Sequence, residues 1–167
     1  MSIANSFCLI LDNIRSLHNV GSIFRTADAF GVSKIYLCGY TGSPVGRDGK
    51  PVKEIAKTAL GAEKSVPWEH LRHTWRVIEM LKKRGVQIVV LENNVSVPAT
   101  SLEKFKPHFP VAVLLGNEVK GLSPSLLKRA DAVVSIPMRG AKESLNVSVV
   151  CGVALWALCQ RHSRADA

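Results

Sequence analysis

Short, almost continuously apolar runs alternate with amphipathic segments along the chain. Five such runs predict strands, and their lack of polar alternation favours a parallel sheet covered on both faces. The predicted strands occupy residues 7–11, 34–38, 86–91, 111–115 and 132–136. A further short strand is predicted at 65–66, just before a tryptophan.

The segments between these runs carry helical periodicity and helix-stop signals. Three predicted helices end one residue before a glycine, where a left-handed cap is needed; they cover 19–30, 52–60 and 68–84. A short helix is predicted to begin near Ser123, with Pro124 in its first turn. A last helix covers about 144–160. Alternating strands and helices predict an α/β fold, a parallel sheet with helices on both faces, in a single domain over 1–167.

Charge and two irregular segments add information about partners. The chain has 22 Lys and Arg against 13 Asp and Glu, a formal charge of +9. Such an excess favours RNA, DNA or an anionic membrane as partner, without excluding a basic protein that binds none of them. Residues 39–50 and 92–107 are predicted loops. The first is a solvated connection by default, but its Arg47 and Lys50 also make it a candidate arm for RNA.

Several chemistries find no support in the sequence. No phosphate-binding loop or dinucleotide fingerprint is present, and neither the histidines nor the cysteines show the spacing of metal ligands, so we expect no metal. The apolar stretch at 145–158 is interrupted by Asn146 and Ser148 and is too short to span a bilayer. The N-terminus does not have the pattern of a signal peptide. We therefore expect a cytoplasmic protein without a membrane partner.

Three polar segments at predicted strand ends are harder to explain by packing alone. The first has the pattern Asn19-x-Gly21-x-x-x-Arg25, in which Asn19 is a candidate helix cap and Gly21 permits a close approach. The second is LLGNEVKGLSP, residues 114–124, and the third is IPMRGAKESLN, residues 136–146, leading into an apolar helix. A polar Asn146 in that helix needs a hydrogen-bond partner, in a loop or a ligand. Ligands of α/β proteins bind at such strand ends.

Together these segments resemble the three motifs of the SpoU-type branch of the SPOUT superfamily of RNA methyltransferases. They occur in the family's order, and the resemblance extends from about residue 7 to 158. It implies a C-terminal deep trefoil knot, a fold feature that periodicity could not predict. It also implies a homodimer with the active site near the subunit interface, and the first and last helices as contact surfaces.

The resemblance implies a site for S-adenosylmethionine, with the methyl group going to a ribose 2′-hydroxyl of a structured RNA. Arg25 resembles the catalytic arginine, which we expect to orient the ribose and stabilise developing negative charge, with the general base left open. Glu118 is expected to orient Arg25 through an ion pair. The other predicted catalytic residues are Asn19, Ser144 and Asn146. The predicted cofactor contacts are Leu91, Glu92, Leu115, Gly116, Asn117, Ile136, Met138, Ser144 and Leu145. The predicted RNA contacts are Arg15, Arg25, Arg47 and Lys50.

Two alternatives stay open at this point. One is a knotted RNA-binding protein that has lost methyl transfer, and the other is a methyltransferase that modifies a base. The SLN sequence at 144–146, with Asn19 and Arg25, favours the ribose. We expect no separate RNA-binding domain, so RNA recognition would use the catalytic domain, including residues 82–84. Transfer RNA is favoured slightly over ribosomal RNA.

Overall fold

A computed structural model describes residues 7–93 and 97–165 of the chain, with side chains up to 162. Within these residues seven parallel strands form one sheet in the order β3-β2-β1-β6-β4-β7-β5. The strands are β1 (Phe7–Asp12), β2 (Lys34–Cys38), β3 (Trp68–Leu71), β4 (Gln87–Leu91), β5 (Thr100–Ser101), β6 (Val111–Leu115) and β7 (Ala132–Ser135). The five predicted strands are all present, each within one residue of its predicted ends.

Helices cover both faces of this sheet. They are α1 (Leu17–Ala29), α2 (Lys53–Ala59), α3 (Ala62–Ser65), α4 (Thr74–Lys83), α5 (Pro124–Leu127) and α6 (Val147–Ala165). One apolar core lies between the sheet and α1, α2, α3 and α6. A second lies between the opposite face of the sheet and α4 and α5. The predicted α/β fold with helices on both faces is therefore confirmed. The trefoil knot and the single-domain extent over 1–167 stay predictions.

The region around Trp68 differs from its prediction. Residues 68–84 were expected to form one helix, but Trp68–Leu71 is an edge strand paired with β2, and the helix begins only at Thr74. The strand predicted at 65–66 is wrong as well, because Ser65 ends α3. Pro67 favours extended backbone in the residue before it. The residues after it form a strand because they pair with β2, and local periodicity gives no signal of that pairing.

Two further boundaries were predicted wrongly. The last helix begins at Val147 rather than 144 and extends to Ala165. The predicted loop at 92–107 contains the short strand β5, whose partner β7 is distant in sequence; residues 94–96 of this loop lie outside the described residues. The glycines predicted to end α1 and α4 are confirmed in the left-handed conformation: Gly31 and Gly85 follow these helices with φ of 64° and 76°.

The helix α1 packs closely on α2 at Gly21, as its place in the first motif suggested. A Cβ atom there would clash with the carbonyl oxygen of Ile55 and with Oγ1 of Thr58. The neighbouring backbone would have to move to admit even one methyl group. Gly21 therefore fixes the separation of the two helices.

We expect Gly21→Ala to destabilise the fold by about 1–3 kcal/mol through this overpacking. Urea unfolding followed by circular dichroism measures the change. Gly152→Ala in α6 is the matched control, since among the described residues a Cβ atom there would meet Cγ2 of Thr26 alone, at an ordinary contact distance of 3.8 Å. Equal stability of the two variants would contradict the close packing of α1 on α2.

The cysteines Cys8, Cys38, Cys151 and Cys159 form no disulfide bond. Burial raises the pKa of Cys38 and of Cys151 to about 12. These two thiols therefore stay protonated at neutral pH and are poor nucleophiles. Within the part of the chain that is described, no helix is both long and apolar enough to cross a bilayer.

Candidate functional site

A cleft opens at the carboxyl edge of the sheet, above the adjacent strands β6, β4 and β7. It encloses about 590 Å³ of empty space, including its mouth. Its walls come from the ends of these strands, from the segment after β6 and from the start of α6. The lining residues are Leu91, Glu92, Asn93, Leu115, Gly116, Asn117, Glu118, Ile136, Ser144, Leu145, Val147 and Val150. The second and third motifs thus meet in one cleft, where a ligand of an α/β fold is expected.

The cleft contains eight of the nine residues predicted to contact the cofactor. The exception is Met138, which does not line it. The lining combines apolar side chains with carboxylate, amide and hydroxyl groups. Apolar walls with a small number of polar groups that fix orientation are typical of a small-molecule site.

A chain of hydrogen bonds joins all three motifs beside this cleft. Asn146 donates from Nδ2 to Oδ1 of Asn19 at 3.1 Å. Asn19 in turn donates from its Nδ2 to Oε1 of Glu118 at 3.0 Å. The same carboxylate accepts the backbone N–H groups of Arg15 and Ser16, at 2.9 and 3.1 Å. The three motifs therefore form one polar unit, in which Asn19 bonds residues 99 and 127 positions away in sequence.

The charge of Glu118 lies at the N-terminus of α1, where a helix favours an anion. Partial burial of the Glu118 carboxylate raises its pKa. The hydrogen bonds from Arg15, Asn19 and Ser16 together lower the pKa by more, so the net pKa lies below the usual value. Glu118 is therefore ionised throughout the physiological pH range.

Glu118→Gln is expected to destabilise the protein at neutral pH but not at low pH. Because the folded-state pKa lies below the unfolded value, the stabilisation by the charge is complete above the unfolded pKa and is lost as pH falls through the folded pKa. Urea unfolding of both proteins at pH 7 and at a pH well below 4.5, the ordinary pKa of a glutamate, tests this. A difference in stability that persists undiminished in acid would contradict the role of the charge.

The candidate catalytic arginine does not lie in the cleft. Arg25 is exposed on α1 and makes no ion pair with Glu118 within the described residues. The expected Arg25–Glu118 ion pair is therefore wrong for one chain, because the carboxylate is engaged by the start of α1 and by Asn19. Arg25 follows Asn19 by six residues, which turns it about 120° away around the helix and moves it about 9 Å along the axis.

Two polar residues have roles at helix starts that differ from their predictions. Ser16, not Asn19, caps α1, and its Oγ accepts the N–H of Asn19 at 3.2 Å. The Asn19 side chain is thereby available to the neighbouring motifs. Asn146 precedes α6 rather than lying within it, and its Oδ1 accepts the N–H of Ser148 at 2.8 Å. Ser144 is exposed at the cleft wall.

Two residues at the site were missed by the sequence analysis. Asn93 accepts the N–H of Ile136 and donates to its carbonyl oxygen, both at 2.9 Å, so its side chain extends the pairing of β4 with β7. Tyr40 is 60% exposed, and its hydroxyl accepts a hydrogen bond from Nδ2 of Asn117 at 2.8 Å. Neither residue belongs to the three motifs, and only folding brings them to the cleft.

The predicted RNA contacts are all exposed. Arg15 lies at the rim of the cleft, since its backbone bonds Glu118. Arg47 and Lys50 lie in the 39–50 loop, and the Lys50 ammonium is 3.9 Å from Asp48. Across residues 7–93 and 97–165 no group of three or more His, Cys, Asp or Glu side chains is arranged to hold a metal ion.

Comparison with known proteins now gives the family. Residues 6–156 match the model of the SpoU rRNA Methylase family. This chain belongs to that family. A relative named 23S rRNA (guanosine-2′-O-)-methyltransferase RlmB, from Coxiella burnetii, is 36% identical over 95% of this chain and 60% of its own length.

Solved structures agree with this family assignment. An AdoMet-bound rRNA methyltransferase from Sinorhizobium meliloti superposes with a TM-score of 0.82 at 30% identity, over 94% of this chain and 56% of that one. The A. aeolicus TrmH/SpoU tRNA modifying enzyme gives the same TM-score at 28% identity, over 97% and 78%. The chain spans about 60% of the length of the curated relatives it matches.

Proposed function

We propose that this protein transfers a methyl group from S-adenosylmethionine to a ribose 2′-hydroxyl of RNA. The observation that carries the proposal is the hydrogen-bonded unit of Asn19, Glu118 and Asn146 beside the cleft. The name of the Coxiella relative specifies guanosine-2′-O methylation, and the Sinorhizobium relative was solved with AdoMet bound. Both agree with the reaction proposed for this chain.

The lining of the cleft fits this methyl donor. Leu91, Leu115 and Ile136 provide apolar walls for an adenine ring and a hydrocarbon chain. Glu92 supplies a carboxylate of which Oε1 accepts the N–H of Asn93, while Oε2 accepts no hydrogen bond within the described residues. That oxygen suits a hydroxyl or ammonium donor of the ligand. When bound, the donor supplies a methyl group already activated by its sulfonium charge.

The protein's own contribution to the reaction is alignment and electrostatics. The cleft residues hold the donor and exclude water, and Asn19, Glu118 and Asn146 fix the start of α1 against the start of α6. Arg25 orients the ribose and stabilises the negative charge that develops on its oxygen. An arginine is almost never deprotonated, so proton removal belongs to another group.

Arg25 reaches the site from the partner subunit of a homodimer in this proposal. The helix α6 exposes an apolar stripe of Val149, Val153 and Trp156, which are 48%, 38% and 58% exposed. The adjacent Gly152 packs against Thr26 of α1, the residue next to Arg25. A second copy covering this stripe would bury the apolar surface and bring its own α1 towards the cleft.

Structured RNA is the proposed substrate, with transfer RNA favoured over ribosomal RNA, and the cytoplasm the proposed location. A charge of +9 favours binding of a polyanion. Since RNA carries the target hydroxyl and the phosphates together, one partner accounts for both the cleft and the charge.

Donor binding in a calorimeter tests the cofactor part of the proposal. Ser144→Trp should fill the cleft and weaken binding of S-adenosylmethionine by more than about tenfold. Ser125→Trp, at an exposed position of α5 outside the cleft, is the matched control and should bind as the wild type does. Absence of donor binding by the wild type, or equal affinity of all three proteins, would contradict the assignment of the cleft.

A further inference from the structure

The face of the sheet opposite α6 carries a concentrated positive charge. Helices α4 and α5 both pack against the core on this face, and Nζ of Lys82 in α4 donates to the carbonyl oxygen of Arg129, just after α5, at 3.1 Å. Seven exposed cations lie on these helices and in the residues that flank them: Arg72, Arg76, Lys82, Lys83, Arg84, Lys128 and Arg129. We call these residues, together with Trp75, the α4–α5 surface. It is separate from the predicted dimer stripe, because the sheet lies between them.

The acidic residues within this surface are already neutralised. Glu79 pairs with Arg129 at 2.8 Å, and Asp131 pairs with Lys82 at 2.6 Å. The other five cations make no ion pair within residues 7–93 and 97–165. Four of these unpaired cations lie in or directly beside α4, a helix of ten residues about 15 Å long, and the fifth, Lys128, lies at the end of α5. Together they leave a strong positive potential on this face.

An aromatic ring lies among these charges. Trp75 is 38% exposed, and the guanidinium groups of Arg76 and Arg129 lie 5.2 and 5.8 Å from its ring centre. The ring thereby orders two planar guanidinium groups. That of Arg76 can contact a phosphate through paired N–H groups, while that of Arg129 also pairs with Glu79. A partly exposed indole surrounded by arginines is also suited to stack on an unpaired base.

The α4–α5 surface borders the carboxyl edge of the sheet on which the cleft opens. Thr74, the first residue of α4, donates its hydroxyl hydrogen to Asp12 at the end of β1. The next residue, Asn13, accepts Nδ2 of Asn117, which lines the cleft, through its carbonyl oxygen at 2.8 Å. A single polyanion can therefore contact the cleft and α4 together.

We propose that the α4–α5 surface is a docking site for the RNA backbone. It lies outside the cleft and on the face of the sheet opposite the apolar stripe of α6. This inference rests on the proposed function, since it assigns a second contact to the same RNA. The free cations bind phosphates, and Trp75 stacks on a base or holds Arg76 and Arg129 in place. Contact on this face would extend recognition beyond the nucleotide that is methylated.

The test compares two triple variants with the same loss of charge. Arg76→Gln, Lys83→Gln and Arg84→Gln remove three unpaired cations from the α4–α5 surface. The control carries Lys53→Gln, Lys57→Gln and Lys64→Gln. These lysines are exposed on α2 and α3, on the other face of the sheet, and make no ion pair within the described residues. Fluorescence anisotropy with labelled bulk transfer RNA and with ribosomal RNA fragments gives Kd over a range of salt concentrations. Calorimetry gives the Kd for S-adenosylmethionine, and an unchanged Kd shows that the cleft of each variant is intact.

The surface variant should bind RNA about tenfold more weakly than the control, and its slope of log Kd against log salt should fall by about two to three units. Trp75→Ala should weaken RNA binding as well, and Trp75→Phe should restore part of it. Equal Kd and equal slope for the two triple variants, with the wild type binding RNA, would overturn this inference alone. No RNA binding by the wild type would instead overturn the proposed function on which it rests.

Discussion

Arg25→Ala should reduce methyl transfer to RNA by about a hundredfold to a thousandfold, the loss expected when a group that stabilises developing negative charge is removed. Affinity for S-adenosylmethionine should not change, because Arg25 does not line the cleft. The rate is measured with labelled donor under single-turnover conditions, and donor affinity by calorimetry. Arg25→Lys keeps the charge but not the paired donors, and we expect intermediate activity. Wild-type rates in Arg25→Ala would remove its assigned role.

A mixing experiment shows which subunit supplies Arg25. Arg25→Ala keeps a sound cleft, whereas Ser144→Trp keeps the arginine but fills the cleft. If Arg25 acts across the interface, a heterodimer of the two variants has one complete site. Random exchange of subunits in equal amounts makes half of the dimers heterodimers, so activity should return to about a quarter of the wild-type value. A mixture that stays inactive, with exchange shown by mass spectrometry, would contradict action across the interface.

Trp156→Glu should prevent formation of the proposed dimer and lower methyl transfer by more than about tenfold. A carboxylate in the apolar stripe of α6 would have to be buried unpaired at the interface, a cost of several kcal/mol. Sedimentation velocity measures the oligomeric state, and labelled donor measures the rate. Trp156 is 58% exposed in one chain, so the monomer itself should remain folded.

Leu60→Glu is the matched control for this change. Leu60 is 66% exposed at the end of α2, away from α6, so the same kind of substitution there should leave the dimer intact. A monomeric wild type would contradict the proposed interface. A Trp156→Glu protein that stays dimeric and active would place the interface elsewhere.

The sequence predicted the elements whose identity is decided locally. Buried parallel strands such as β2 and β6 are runs of apolar residues at any position in the sheet, so their bounds could be read directly. Trp68–Leu71 could not be read in this way, because its strand character comes from pairing with β2 at the sheet edge. The strand order, with β6 between β1 and β4, has no local signal either.

For the site, the motifs predicted which residues gather but not how they are connected. Asn19, Glu118 and Asn146 were all expected near the cleft, and hydrogen bonds join them. Their partners depend on the direction of each side chain, and the sequence did not show that Ser16 rather than Asn19 caps α1. Arg25 illustrates the limit, since the role proposed for it requires a second chain, and such a role does not appear as a contact within one chain.

Methyl transfer to RNA is the first measurement to make. Labelled S-adenosylmethionine is incubated with total transfer RNA or ribosomal RNA and with wild-type or Arg25→Ala protein, and the RNA is then digested to nucleosides. We predict label on the 2′-oxygen of a nucleoside from one RNA class, with transfer RNA favoured, and its loss in the variant. Label on a base would contradict ribose methylation, and absence of both label and donor binding would contradict a methyltransferase altogether.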